Sequence, residues 1–411
     1  MRTAPGPSMA ASIAVAPMAL LLIGCAEHPR DGMLPVAATT GSGSVVDILV
    51  ATTRRPAADP ARLYSGERGT AIAFDRIQVS IPPDRDRKIG EIQWPSRVAP
   101  DPAREFAVLR TEKFRSEREM QQWLRQNRTP KRREIIFVHG FNTTYSEAVF
   151  RFAQIVHDGD VGAAPVLFTW PSRGDVFDYL YDKESANYSR HALEELILQS
   201  AASPDVEDVT IVAHSMGCWL TVEALRSVGM RKNGVPSKIR NVVLAAPDLD
   251  VDVFRRQWVE MGPKRPHFTI VASKNDKALG VSRLISGGIE RVGGADLMPY
   301  RAMLSKLGIS VVDASAVDVA DPLGHTGFAE SPEIVRALGR RISMGQTFTG
   351  DAVSTGEALE AVTVQPVAIA GSVVRAVVTP SQAIAEAAAL GRRTGKRTGP
   401  LPAIVEGRIA Y

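Results

Sequence analysis

From Glu134 onward, short apolar runs of strand character alternate with longer segments of helical spacing. "EIIFVHG" is followed by "TYSEAVFRFAQIVHD", "APVLFTW" by "SANYSRHALEELILQS", "DVTIVA" by "MGCWLTVEALRSVGM", and "IRNVVLAA" by "DVDVFRRQWVEM". The pattern then continues through "FTIVAS", "KALGVSRLI", "GISVVDAS" and "SPEIVRALGRRI". Strand runs that are apolar throughout are covered on both faces, and a helix between two of them returns the chain to start the next strand in the same direction. The alternation therefore predicts an α/β fold, a mostly parallel central sheet with helices on both faces. The first of these helices carries its own start signal, because Thr144 and Glu147 stand at capping-box spacing before the apolar run.

Composition narrows the function classes. A chain of 411 residues that is 45% apolar has enough apolar material for a substantial core. Lys and Arg total 49 against 45 Asp and Glu, and no basic stripe is interleaved with aromatics, so a nucleic-acid partner is not expected. The two cysteines, Cys25 and Cys218, make no disulfide framework. No zinc-type cluster or phosphate-binding glycine loop appears, and no metal or nucleotide cofactor is expected.

Residues 1–24 read as an export signal: Arg2 precedes the apolar run "MAASIAVAPMALLLIG", which is too short to span a membrane with confidence. The run ends in "LIGC", which resembles a bacterial lipoprotein signal, and the resemblance implies lipidation of Cys25. Acyl chains at that terminus imply stable membrane anchoring in the bacterial cell envelope, facing the periplasm. Ala26 resembles the residue of lipoproteins sorted to the outer membrane. Residues 25–44 are small and polar and are expected to be a flexible tether. Residues 45–342 form the expected folded domain, opened by the extra strand candidates "VVDILVAT", "TAIAFDRIQVSI" and "KIGEIQWP". Residues 343–411 are expected to be a partly disordered tail with a short helix at "SQAIAEAAAL".

The stretch "VTIVAHSMGCWLTVEAL" passes from strand to helix across a serine. Ala213, Ser215 and Gly217 stand two apart at that corner, the context of a nucleophile elbow, with Ala213 in place of the usual glycine. Such a turn lifts the hydroxyl above the strand end and aims the Met216 N–H and the helix N-terminus at the same space. A serine that merely caps the following helix is the competing reading.

With "FVHGFN" earlier in the chain, this pattern resembles the alpha/beta-hydrolase superfamily, and most closely its bacterial members without an assigned substrate. The resemblance runs from about Glu134 to Ile342. It implies that Phe141, after the His-Gly pair, donates a second N–H to an oxyanion hole and that His139 is structural. Of the seven histidines, only His325 lies in a loop between the last strand and the last helix, where the superfamily carries its base. The orienting acid falls between serine and histidine in chain order. Asp276, after "FTIVASKN", is the first choice; Asp248 is the alternative, and Asp250, Asp318 and Asp321 stay open behind it. Trp170, Tyr179 and Tyr181 are candidates for an acyl pocket or for packing, and Cys218 reads as a buried structural thiol.

The resemblance implies a serine hydrolase acting on a small-molecule or lipid carboxylic ester or thioester, through Ser215, His325 and Asp276 and an acyl-enzyme. Acyl transfer on the same triad and a catalytically silent envelope scaffold are the alternatives.

Overall fold

Nine strands form one sheet among the residues described by the structure, a computed structural model that covers residues 32–38, 43–317, 321 and 323–348. The strands are β1 (Ser44–Pro56), β2 (Tyr64–Ile81), β3 (Ala107–Phe114), β4 (Arg133–Val138), β5 (Ala164–Thr169), β6 (Asp208–His214), β7 (Ile239–Ala245), β8 (His267–Ala272) and β9 (Ile309–Asp313). Their order is β3-β2-β1-β5-β4-β6-β7-β8-β9. From β1 across to β9 the neighbours are parallel, whereas β2 and β3 add antiparallel pairs at one edge. The chain thus has the α/β architecture that the alternation predicts.

Each central strand feeds two cores because successive side chains point to opposite faces. Ile136 and Val138 of β4 join one apolar cluster with Leu49, Val166 and Ile211, whereas Ile135 and Phe137 join the other with Ile48, Val50 and Val212. Helices α1 (Glu117–Asn127), α3 (Tyr179–Ala202) and α4 (Met216–Lys232) cover the first face through Trp123, Leu193, Ile197, Leu220 and Leu225. Helix α2 (Tyr145–Asp158) and α9 (Pro332–Met344) cover the second through Val149, Phe152, Ile334 and Leu338. Phe152 stacks on Phe137 with ring centroids 5.3 Å apart. Truncating a side chain buried this deeply, as in Ile136→Ala, costs roughly 2–5 kcal/mol. The remaining helices are α5 (Val251–Glu260), α6 (Lys277–Ile285), α7 (Arg301–Lys306) and α8 (Gly327–Glu330).

Local signals set the helix boundaries. Thr144 and Glu147 make both bonds of a capping box at the start of α2. Ser331 caps α9 by accepting the Ile334 N–H, with Pro332 at the first helical position.

Several sequence expectations shift. The segment expected as a strand at "KIGEIQWP" is a turn and loop: Gly90 has φ +90° and sends its N–H to the Asp158 carboxylate, and Pro95 has no N–H for a ladder. Ile92 and Trp94 still pack on the second core, which explains their apolar character. The third antiparallel strand is instead β3, from "AVLRTEKF". Helix α1 was not anticipated, although Ser116 accepts the Glu119 N–H and Met120, Trp123 and Leu124 make its buried stripe. Part of the expected tether is docked, since Met33 is buried and Val36 N–H donates to Val108 O. The fold also runs past 342, for Phe348 is buried and its carbonyl accepts from Thr269. Cys25, the expected signal, Asp318 and the tail beyond 348 lie outside the described residues.

Because the central strands are parallel, the loops after β4, β6, β7, β8 and β9 emerge at one edge of the sheet, where α/β folds place their sites.

Candidate active site

Ser215 stands directly after β6 with φ 52° and ψ −122°, a conformation that a residue with a Cβ adopts only under strain. Three backbone bonds hold it there: Ser215 N–H donates to Ala245 O (3.0 Å), and Ser215 O accepts from Asp248 N (3.2 Å) and Cys218 N (3.0 Å). The loop after β4 presses against this elbow. A Cβ on Gly217 would lie 2.3 Å from His139 O, and one on Gly140 would lie 2.9 Å from Ser215 Cβ. Both positions therefore require glycine for close approach. Ala213, where the motif ordinarily has glycine, is fully buried in the first core. Cys218 is also buried, its thiol donates to Ala213 O, and burial pushes its pKa well up.

Phe141 and Met216 lie on the two segments that meet here. Met216 is the first residue of α4, so its N–H has no intrahelical acceptor. Among the described residues no protein acceptor takes the N–H of either Phe141 or Met216. His139 supports the loop from below. Its Nδ1–H donates to Gly140 O (2.8 Å), its Nε2 accepts from Trp170 N (3.1 Å), and its ring stacks on Trp170 at 4.9 Å. Burial and the neighbouring Arg54 hold its pKa well below the ordinary value, which fits this neutral tautomer.

His325 sits in a loop shaped by Asp321, whose carboxylate accepts the N–H groups of Leu323, His325 and Thr326. Its Nδ1 lies 2.7 Å from Asp276 Oδ2, and Lys277 N–H donates to Leu323 O to join the two loops. Burial lowers the His325 pKa, but Asp276, Asp248 and Asp321 together outweigh it, and the net shift is upward. His214, beside the serine in the chain, packs its ring 4.7 Å from that of His325 and sends Nε2–H to His325 O (3.2 Å). Burial and His325 hold His214 well below its ordinary pKa, so it is a neutral prop. No hydrogen bond joins Ser215 Oγ to His325 Nε2 here. Such bonds are often long before substrate binds and tighten in the complex.

The other acids have separate partners. Asp248 accepts from Ser282 Oγ (2.6 Å) and Tyr179 OH (3.1 Å) and pairs with Arg291. Asp250 caps α5, and Asp321 shapes the histidine loop. Trp170 is fully buried and packs on His139. Tyr179 meets Phe141 edge-on at 5.2 Å, whereas Tyr181 lies under the Arg173 guanidinium at 3.6 Å. Sequence reading gave no task to Arg54, Ser172, Asp182 or His214, all of which contact the elbow or the loop after β4. Among the described residues no group of three or more His, Cys, Asp or Glu side chains is placed to hold a metal, and no helix is long and apolar enough to cross a membrane.

A strained serine between a parallel strand and a helix, with two unspent N–H groups and a histidine-aspartate contact at the same sheet edge, defines the alpha/beta-hydrolase class. The family described as alpha/beta hydrolase of unknown function (DUF900) matches residues 116–341, and the chain belongs to it. No curated protein matches the sequence. Solved structures to which the chain is similar include an esterase of Pyrobaculum calidifontis, 11% identical over 74% of this chain and 86% of that chain, with a TM-score of 0.35. Carboxyl esterase 2 of Tuber melanosporum is 13% identical over 77% of this chain and 91% of that chain, with a TM-score of 0.35. A siderophore hydrolase of Aspergillus nidulans is 11% identical over 76% and 97%, with a TM-score of 0.31.

Proposed function

We propose that this hydrolase cleaves carboxylic esters or thioesters through an acyl-enzyme on Ser215. The observation that carries the reading is the 2.7 Å contact between His325 Nδ1 and Asp276 Oδ2 at the sheet edge that presents the strained serine. His325 Nε2 takes the Ser215 proton as Oγ bonds to the carbonyl carbon. The carbonyl oxygen becomes an oxyanion between the N–H groups of Phe141 and Met216, each worth about 3–4 kcal/mol in such a site. The imidazolium then gives its proton to the leaving alcohol or thiol as that bond breaks. Water repeats the sequence and releases the acid. Asp276 holds the imidazole in the tautomer that leaves Nε2 free to accept, and stabilises the imidazolium.

A fluorophosphonate probe tests this reading. Labelling at Ser215 that is lost in Ser215→Ala, with hydrolysis of short-chain activated esters, is the expected result; an unlabelled, inactive protein overturns it.

We also propose that Cys25 is lipidated and tethers this activity to the bacterial envelope, the support being the "LIGC" run after the apolar segment. Cys25→Ser is expected to lose incorporation of a fatty-acid analogue and to leave the membrane fraction. Retention of both in the variant would exclude the anchor.

A further inference from the structure

We infer that Arg54, which stands on β1 outside the segment matched by the family, is a positioning residue that fixes the Phe141 N–H of the oxyanion loop, with Ser172 and Asp182 as its counter-anchors. The inference rests on the ester-hydrolase reading above and names what makes that site's oxyanion donor rigid.

A guanidinium is costly to bury, and it is ordinarily paired with a carboxylate when it is. Arg54 is 1% exposed, and among the described residues no ion pair involves it. Its donors go instead to backbone and hydroxyl oxygens. Nε donates to Thr169 Oγ1 (2.9 Å), Nη1 to Ser172 O (2.7 Å) and Ser65 O (3.3 Å), and Nη2 to Thr143 O (2.7 Å), with His139 Nε2 at 3.4 Å. An irregularity in the β1–β2 ladder between Thr52 and Arg54 interrupts the regular pairing at this residue. Burial lowers its pKa to about 10, against the pull of Asp182.

The oxyanion loop is gripped from two sides. Arg54 takes Thr143 O on one side. On the other, Asp182 accepts from Asn142 N (3.2 Å), Ser172 Oγ (2.5 Å) and Arg173 N (3.1 Å), and Ser172 Oγ in turn accepts the Thr143 N–H (2.9 Å). Within the loop, Gly140 O accepts from His139 Nδ1 and Phe141 O accepts from Thr143 Oγ1 (3.1 Å). Gly140 O, Phe141 O, Asn142 N–H and both backbone groups of Thr143 are thus committed to neighbours, while among the described residues the Phe141 N–H has no acceptor. Asn142, held at φ 54°, is the bend that makes this possible. An N–H fixed before the reaction stabilises developing charge without reorganisation, whereas a loose one does so poorly.

The test compares Arg54→Met, Arg54→Lys, Ser172→Ala and Asp182→Asn with the wild type. The readouts are kcat and KM on a short-chain activated ester, inhibition by an alkylboronic acid that forms a tetrahedral adduct at the serine, and thermal melts. Loss of one complete oxyanion donor lowers kcat by about 10²- to 10³-fold, so a donor that is present but loosened should lose roughly 10- to 100-fold. Ser172→Ala and Arg54→Met are expected to show that loss with KM within about 2-fold and boronate affinity reduced in step with kcat. Arg54→Lys keeps the charge but not the planar set of donors, and it is expected to stay within about 3-fold of Arg54→Met. If Arg54→Met does not fold, Ser172→Ala and Asp182→Asn still decide. Folded variants with wild-type kcat and boronate affinity would overturn the inference while leaving the hydrolase reading intact; a wild type that neither labels nor hydrolyses overturns both.

Discussion

Asp276 divides its carboxylate between two tasks: Oδ1 accepts the Leu279 N–H (3.0 Å) to cap α6, and Oδ2 lies 2.7 Å from His325 Nδ1. A residue that starts a helix is immobilised by it, so the histidine is oriented by a rigid partner. Asp248 has its own set of partners in Ser282, Tyr179 and Arg291. Asp276→Asn is therefore expected to lower turnover by roughly 10⁴-fold, the loss seen in the worked serine-protease case when the tautomer is no longer fixed. Asp248→Asn should cost less than about 10-fold in turnover and instead lower the melting temperature, since it weakens a buried polar network. Kinetics and melts on both variants check the assignment, and a larger turnover loss in Asp248→Asn would reverse it.

The raised pKa of His325 fixes the sign of a pH effect. As the proposed base, His325 works only when neutral, and the upward shift keeps it protonated to higher pH than an ordinary histidine. The acid limb of kcat/KM is expected to have its midpoint above 6.5, with activity rising as pH increases through it. Asp276→Asn removes the largest charge that favours the imidazolium, and its residual activity should show the midpoint displaced to lower pH. A midpoint that does not move would detach Asp276 from the histidine in solution.

Ser215 and His325 are expected to act as one unit. Ser215→Ala and His325→Ala should each abolish most ester hydrolysis, and the double variant should be scarcely worse than either, as for residues that share a transition state. Steady-state hydrolysis of an activated ester supplies the measurement. Additive losses would mean that His325 is not the base.

Gly217 at the elbow and Gly280 in α6 should respond unequally to alanine. In Gly217→Ala the new Cβ meets His139 O at 2.3 Å and Val138 O at 2.8 Å, backbone atoms at the end of β4 and the start of the loop after it. Overpacking of this kind costs about 1–3 kcal/mol, and the displaced loop should abolish most activity. Gly280→Ala, in α6 with nothing within 4 Å of the new Cβ, should leave activity unchanged and gain up to about 1 kcal/mol from helix propensity. Melting temperatures and kcat for the two variants make the comparison.

Glu134 makes a separate prediction about stability. It is fully buried in β4, and among the described residues neither carboxyl oxygen has a hydrogen bond of ordinary geometry, Ser200 being the neighbour that favours its charged form. Burial pushes its pKa up to about 7 from 4.5. A carboxyl raised in the folded state gives stability that is complete below the unfolded pKa and is lost as pH rises through the folded value, here between about 4.5 and 7. The loss is on the order of 3 kcal/mol at 1.36 kcal/mol per pKa unit. Denaturant unfolding at pH 4 and pH 8 should show this fall in the wild type and a smaller one in Glu134→Gln. Equal falls in both would place the titration elsewhere.

Sequence by itself determined what depends on short stretches of chain. Apolar runs such as "EIIFV" and "VTIVA" became β4 and β6, and the Thr144–Glu147 pair became a capping box, because periodicity and capping involve neighbours within one or two turns. The serine corner was legible for the same reason: a small residue on each side of Ser215 is a local steric demand. Tertiary structure decided the rest. Asp248 and Asp276 both follow strands, and nothing in either stretch says which reaches a histidine 49 residues beyond Asp276; strand order and the Lys277–Leu323 bond between loops settle that contact. Arg54 was less legible still. It reaches Thr143 across 89 residues only because β1 inserts beside β5, an arrangement set by pairing between distant strands and by burial of both sheet faces. Such pairing is a property of the whole sheet, and no window of sequence around Arg54 contains it.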